Sequence, residues 1–327
     1  MIIVLWSLCL LASFAVMLGY NVRQKADLVR RLNERDTLRS VAGAGVKMAA
    51  FQVKKNKEAE DTWFALSSEL CGNGGFLSDT NMGDAQYSVW YEYRNDQTGA
   101  QERRYGLIDE ESKVNINTEG RPAMQRLFQV VLGLDERDAQ ELAACIIDWR
   151  DEDSELTTPD SAEDSHYRNQ EFSYGAKNGP FEVLEELLLV KGMTQDLFEV
   201  LKNYITIYGS GKVNINTASA PVLFALGFSA DDVERITSFR CGADGVAGTA
   251  DDNIFVTPGD IGRQLSQAYA ASDADAARIT AIAGEKLCAN SYYFMARSHA
   301  RMNNRVNTVE TVAVIDNKGT ILYWREF

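Results

Sequence analysis

Lys113-Val114-Asn115-Ile116-Asn117-Thr118 recurs without change as Lys212-Val213-Asn214-Ile215-Asn216-Thr217. The segments after the two copies are also alike. The first copy leads to Leu132-Gly133-Leu134-Asp135 and a helical pattern, the second to Leu226-Gly227-Phe228-Ser229 and another. The middle of the chain is therefore a duplicated unit. Nothing in either copy looks like an active site, so the duplication points to scaffolding rather than chemistry. In Val-Asn-Ile-Asn the apolar side chains fall on one side and the asparagines on the other, which predicts a short half-buried strand. Thr118 and Thr217 are expected helix caps, with Pro122 and Pro221 near the first turn. Gly133 and Gly227 suit left-handed C′ positions. Asp135 and Ser229 are expected to cap the next helix, with Asp138 and Asp232 three residues on.

Working outward, residues 112–285 read as mostly helical and their flanks as strands. Gln86 to Tyr93 alternates and is aromatic-rich, 95–99 is a turn, and Arg103 to Ile108 is the returning strand. At the C-terminus, Asn307 to Ile315, the turn Asp316-Asn317-Lys318-Gly319 and Thr320 to Trp324 form a second hairpin. The expected fold is α+β: a long N-terminal helix with an antiparallel sheet, interrupted by a large all-α insertion. The expected parts are a membrane-spanning stretch at 1–22, an amphipathic helix at 23–57, a discontinuous α+β domain of 58–110 and 286–327, and the insert at 111–285. A third unit lies between the copies: Leu184, Leu187, Leu188 and Leu189, then Val190-Lys191-Gly192-Met193, then Thr194 to Leu201. The insert thus reads as helix-hairpin-helix-like repeats. Such hairpins often bind DNA phosphates, which makes a membrane-anchored DNA-uptake protein the alternative reading. The acidic flanks favour packing.

The 327 residues include 33 basic and 47 acidic ones, a net charge of −14, which argues against a nucleic-acid partner. Only His166 and His299 could serve as imidazole ligands or bases. There is no P-loop, HExxH, dinucleotide fingerprint or nucleophile elbow, so no enzyme is expected. Cys71, Cys145, Cys241 and Cys288 lack CxxC spacing, and as disulfides they allow three complete pairings.

Residues 1–22 carry no charge, enough apolar length to cross a bilayer. No proline follows up to Lys57, and Leu28, Leu32, Leu38, Val41, Val46, Met48 and Phe51 return at helical spacing. One helix of about 55 residues is expected, about 80 Å long. It reads as a signal anchor with a stalk, or as the packing helix of a pilin-like subunit. The basic residues Arg23 to Arg39 follow the apolar run, which by the positive-inside rule alone would put them in the cytoplasm.

The order of parts resembles the K-type minor pseudopilin family of type II secretion (general secretion protein K). The resemblance rests on Val4 to Leu11, Gly106-Leu107-Ile108-Asp109-Glu110 before the first KVNINT, Ile147-Asp148-Trp149-Arg150-Asp151, Asn178-Gly179-Pro180-Phe181 with Leu184 to Leu188, and Leu322-Tyr323-Trp324-Arg325-Glu326. It implies a non-enzymatic subunit of the inner membrane, single-pass, with its bulk in the periplasm. Implied partners are the I- and J-type minor pseudopilins, the major pseudopilin and the inner-membrane assembly platform. It also implies a place at the pseudopilus tip, where the insert blocks further stacking. Most pilin-like subunits keep a glutamate early in the apolar helix to pair with a neighbour's amine. Here no acid precedes Asp27, as suits a subunit with nothing above it. The family's basic leader is not seen, so the expected mature start is a processed one or the written start a late codon.

Two acidic loops are the candidate ligand sites. Asp148, Asp151, Glu152, Asp153 and Glu155 follow the first repeat, with Asp160, Glu163 and Asp164 soon after. Cys241 to Asn253 follows the second and alternates glycine with aspartate. Such loops can wrap oxygens round calcium, although EF-hand spacing is absent. Asp244, Asp251 and Asp252 are the first candidate ligands, Asp151 and Asp153 the next. A solvated acidic loop is the competing reading.

Overall fold

The computed structural model describes residues 1–56, 77–94, 99, 101–246, 251–269, 272–303 and 307–327. Cys71, the loop expected at 71–75 and most of the turn at 95–99 lie outside the described residues. Helix α1 (Ile2–Asn56) is unbroken for 55 residues. Its N-terminal part is long and apolar enough to cross a membrane and is fully exposed. Burial begins at Leu38 and continues through Val41, Ala42, Val46, Ala49, Ala50 and Val53. That three- and four-residue spacing is one helical stripe laid on a sheet. Leu28 and Leu32, expected on the same stripe, are exposed because α1 projects past the sheet there; Phe51 is exposed beside it. Small residues bring helix and sheet together. A Cβ added at Gly45 would lie 2.2 Å from Ser298 Oγ and 2.8 Å from Tyr87 Cδ2.

The sheet has β1 (Thr80–Met82), β2 (Ala85–Arg94), β3 (Gln101–Tyr105), β4 (Ile108–Asp109), β9 (Tyr293–Met302), β10 (Thr308–Asp316) and β11 (Ile321–Glu326). Its order is β1-β2-β9-β10-β11, all antiparallel, with β3 on β2 and β4 on β9. The β10–β11 turn forms as its sequence predicts. Asp316 Oδ1 accepts from the amides of Lys318 (2.8 Å) and Thr320 (2.7 Å), and Gly319 has φ +80°. That turn packs against Ala50 and Lys54, while Glu326 pairs with Arg39 at 3.2 Å. β11 therefore runs along α1 back toward its membrane end.

The insert leaves the sheet after β4 and re-enters at β9. Asp109 pairs with Phe294, and Tyr293 with Asp316, so the crossing is at the end of the sheet where α1 stops. The first repeat comprises β5 (Val114–Asn115), α2 (Arg121–Leu132) and α3 (Glu136–Arg150), followed by α4 (Asp164–Arg168), α5 (Gln195–Leu201) and β6 (Ile205–Thr206). The second comprises β7 (Val213–Asn214), α6 (Ala220–Leu226) and α7 (Ala230–Arg240), then α8 (Ile261–Tyr269), α9 (Asp273–Lys286) and β8 (Leu287–Cys288). An all-α insert is thus corrected: β5 pairs with β6 and β7 with β8, both parallel, because the Val-Asn segments find strand partners late in each arm. The third unit is not a pair of α-helices. Leu184–Leu189 is a 3-10 helix, whose Glu186 carboxylate turns back to accept the amides of Glu182 (2.9 Å) and Val183 (3.1 Å). Both arms of the insert share one apolar core, including Phe128, Ile146, Leu201, Ile236 and Leu265. A second core joins α1 to the sheet.

Candidate functional site

The repeated asparagines are buried rather than outward-facing: Asn115 and Asn214 are 4% and 0% exposed. Each closes its own turn. Asn115 Oδ1 accepts from the Asn117 amide at 2.8 Å, and Asn214 Oδ1 from the Asn216 amide at 3.0 Å. The second asparagine of each copy then grips a distant phenylalanine backbone. Asn117 accepts from Phe181 N (2.8 Å) and donates to Phe181 O (3.0 Å). Asn216 accepts from Phe255 N (2.8 Å) and donates to Phe255 O (3.0 Å) and Ala289 O (3.1 Å). The last residue of each second helix completes the unit. Arg150 donates to Ile116 O and Glu119 O, and Arg240 to Ile215 O and Ala218 O. Sequence reasoning missed these arginines; the available signal is that both end the second helix of a repeat.

The helix ends agree with the sequence at four positions and differ at two. Gly133 (φ +66°) and Gly227 (φ +103°) terminate α2 and α6. Asp135 caps α3, and Ser229 caps α7 with Asp232 reciprocating. The expected caps Thr118 and Thr217 give way to Gly120 and Ser219, neither with a side-chain cap bond. Thr217 is drawn elsewhere, since its hydroxyl donates to Asp109 Oδ2.

Asp109 is the centre of a polar junction between sheet and insert. Its Oδ2 also accepts from Asn214 Nδ2 (3.1 Å) and Ser291 Oγ (2.6 Å), and its Oδ1 from the Glu111 amide (2.8 Å). Burial lifts its carboxyl to about 6 against the pull of those donors. Glu111, likewise buried, is raised to about 7, with Asp109 adding repulsion. Glu110 is fully buried, ion-paired with Lys113 and bonded to Thr206 Oγ1 at 2.6 Å.

The first acidic loop gathers into one place. Asp151, Asp153 and Glu163 each offer a carboxylate oxygen within 4.8 Å of the others. Asp148 lies beneath them, fully buried, with Oδ1 accepting from the Thr157 amide at 3.0 Å. Asn178 donates to Asp153 O at 3.2 Å. Four buried oxygens of this cluster have no donor among the described residues: Asp148 Oδ2, Asp151 Oδ1, Glu163 Oε1 and Asn178 Oδ1. Burial first, then the neighbouring carboxylates, raises Glu163 to about 7 and raises Asp151 as well. The three close carboxylates are oxygen donors of the kind a hard cation takes, and they are fewer than the six to eight oxygens that calcium gathers. Glu163 stands in the acidic run, but its sequence position does not mark it as a ligand, because its approach to Asp151 depends on the fold of the intervening loop. In the second loop, Asp251 Oδ2 accepts the amides of Ala243 (2.8 Å) and Asp244 (3.1 Å), and Asp244 Oδ1 that of Val246 (2.7 Å). Those two carboxylates hold the loop's backbone. Asp252 sits beside them, and 247–250 lie outside the described residues.

A cleft of about 1030 Å³ separates the outer face of the sheet from the insert, with Met295, Val312 and Val314 on one wall and Leu184, Leu188 and Phe198 on the other. Its charged side chains include ion pairs: Lys202 with Glu199, Arg325 with Glu185, and Lys113 with Glu110.

Residues 98–210 match the family model for type II secretion system (T2SS) protein K. That stretch holds the first repeat, the acidic cluster and the strand returning to β5. Two relatives carry the same description. The Pseudomonas aeruginosa protein K is 28% identical over 154 residues, 45% of this chain and 46% of the relative. The Dickeya chrysanthemi protein K is 35% identical over 123 residues, 35% of this chain and 33% of the relative. The chain thus aligns with less than half the length of either protein K. A chain in the crystal structure of the GspK-GspI-GspJ complex from enterotoxigenic Escherichia coli superposes with a TM-score of 0.64 at 18% identity, covering 91% of this chain and 99% of that one. The shared fold therefore extends well beyond the stretch that sequence aligns.

Proposed function

We propose that this chain is a minor pseudopilin of type II secretion, seated at the pseudopilus tip. It would help initiate and cap the filament that drives export across the outer membrane. The observation that carries this reading is the placement of the insert. It leaves the sheet where α1 stops, the end farthest from the apolar segment of α1. A subunit held in the inner membrane by that segment presents its bulk in the periplasm, away from the bilayer. There the insert covers the surface on which another subunit would stack. The partners are the I- and J-type minor pseudopilins, as the composition of the crystallised complex supports for its own protein K, with the major pseudopilin below and the assembly platform in the membrane. The insert acts as a spacer built on helix-hairpin-helix-like pairs, α2–α3 and α6–α7. DNA binding is not favoured, since Asp135 and Asp232 already occupy the amide-rich starts of α3 and α7.

We also propose a structural calcium ion at the first acidic loop. Asp151, Asp153 and Glu163 would hold it, with Asp148 and Asn178 in support. Its charge would offset the crowded carboxylates and tie the loop after α3 to the start of α4. Asp244, Asp251 and Asp252 form the second candidate loop. The test of the main reading is reconstitution. The full chain in detergent, mixed with soluble I- and J-type subunits, is expected to elute as a ternary complex. Elution as separate species at micromolar concentrations would overturn it.

A further inference from the structure

We propose that the free edge of β11, with the apolar strip beside it on α1, receives an extended β-strand from a neighbouring pilin-fold subunit. This rests on the pseudopilin reading and adds to it a docking edge and the chemistry of its occupant. β11 ends the sheet order, and its outer side meets no other strand among the described residues. The backbone direction there is set by one bond and the register. Phe327 N donates to Glu310 O at 2.9 Å, so residue 327 faces β10. The register pairs Thr311 with Glu326, Val312 with Arg325 and Ala313 with Trp324. Inward and outward amides alternate along an antiparallel strand, so those of Trp324 and Glu326 point away from the sheet. They form half a ladder waiting for a partner.

Exposed sheet edges are usually blunted by proline, by charge or by shortness. The opposite edge is divided between β1, of three residues, and β3, of five. β11 is six residues long, has no proline, and exposes Ile321 (37%), Leu322 (49%) and Trp324 (39%). Trp324 lies over Gly43 of α1, where an added Cβ would meet its ring at 3.3 Å. Farther along the same helix Phe51 is 59% exposed. Lys47, Lys54, Lys55 and Lys318 are exposed around this strip. In a chain of net charge −14, that is a local island of positive charge. The strand that fits carries apolar side chains opposite Leu322 and Trp324 and carboxylates opposite the lysines.

The test uses the full chain in detergent and the soluble I- and J-type subunits. Glu326→Ala removes a carboxylate but keeps the outward amide. Glu326→Pro removes the amide as well, at an edge position where proline breaks no bond within the sheet. Leu322→Glu puts a like charge before the partner's carboxylates. Glu326→Ala is expected to bind within twofold of wild type, and Glu326→Pro and Leu322→Glu at least fivefold more weakly. A photo-crosslinking residue at 322 is expected to label a strand of the captured subunit. Glu326→Pro and Leu322→Glu binding as wild type, with unchanged circular dichroism, would overturn the edge assignment and leave the pseudopilin reading standing. So would crosslinks confined to the partner's helix or to a second copy of this chain. Capture of neither subunit by the wild type would overturn both.

Discussion

The asparagine clamps allow the sharpest stability prediction. Asn117→Ala strips Phe181 of partners on both its amide and its carbonyl, and Phe181 is 3% exposed. Leaving a buried polar group unsatisfied costs about 1–3 kcal/mol. Freeing the asparagine side chain returns about 1 kcal/mol of conformational entropy. For the two groups together the net expectation is a loss of about 1–5 kcal/mol. Asn216→Ala strands three groups, the amide and carbonyl of Phe255 and the carbonyl of Ala289, and by the same reckoning should cost about 2–8 kcal/mol, more than Asn117→Ala. Asn216→Asp keeps the acceptor for Phe255 but turns a carboxylate toward two carbonyl oxygens, so it should be no milder than alanine. The assay is urea unfolding of the full chain in detergent, followed by near-ultraviolet circular dichroism, which reports the packing of Trp149 against Tyr167 and Tyr174. Because both arms share one apolar core, each variant should move a single transition. The double variant should add within about 0.5 kcal/mol. Losses under about 0.5 kcal/mol for both single variants would refute the claim that these asparagines hold the arms together.

If calcium binds at Asp151, Asp153 and Glu163, 1 mM of it at a Kd of about 10 μM should stabilise the fold by about 2.7 kcal/mol; chelator should lower the Tm, Glu163→Gln should abolish the response, and no shift at millimolar calcium would count against the site. The junction carboxylates have raised folded-state values, so their contribution is fully present below about pH 4 and is lost as pH rises through about 6 and 7. Asp109 alone accounts for about 3 kcal/mol between those limits. Asp232, Glu186 and Asp316 are held below the usual range, so their contributions are lost as pH falls through their lowered folded-state values. Thermal melts should therefore show greatest stability near about pH 4, with Glu111→Gln flattening part of the fall between about pH 4.5 and 7. Gly45→Ala forces a methyl against Ser298 and Tyr87 and should cost about 1–3 kcal/mol, part of it recovered by adding Ser298→Ala.

The elements that local chemistry dictates were legible in the sequence. The long proline-free helix, the antiparallel hairpins, the glycines after α2 and α6 and the caps Asp135 and Ser229 all depend on neighbours within a few residues. Long-range polar contacts were not legible. Alternation placed Asn115 and Asn214 on a wet face, yet their amides reach Tyr208 O, Asp109 and Ser291 across the fold. Thr217 looked like a cap until Asp109, 108 positions earlier, claimed its hydroxyl. The acidic loops were visible as composition only. Folding the loop after α3 brings Glu163 to Asp151 and Asp153, whereas the second loop's Asp251 serves backbone amides.

The two copies of the motif differ most where they meet the rest of the molecule. In the first, Asn115 Nδ2 donates to Tyr208 O and more weakly to Gly209 O, just before the second copy. In the second, the equivalent Asn214 amide donates to Asp109 and Ser291 at the edge of the sheet. The second copy is therefore tied to the sheet through Asp109, and the first copy to the segment that precedes the second, while the first arm also meets the sheet where Glu185 pairs with Arg325. The two apolar cores are separate clusters, and the Asp109 network lies between them. Hydrophobic contacts tolerate sliding, whereas a buried carboxylate with four donors fixes one arrangement or incurs the full desolvation penalty. On the proposed placement at a filament tip the insert must hold its angle under load, and this junction would supply the angular constraint. Asp109→Ala should accordingly loosen the insert against the sheet without unfolding either core. Hydrogen exchange would show this as faster exchange at residues 108–112 and 289–293, with the interiors of α3 and β10 unchanged. Equal acceleration throughout both cores would mean that Asp109 supports folding as a whole rather than the angle between its parts.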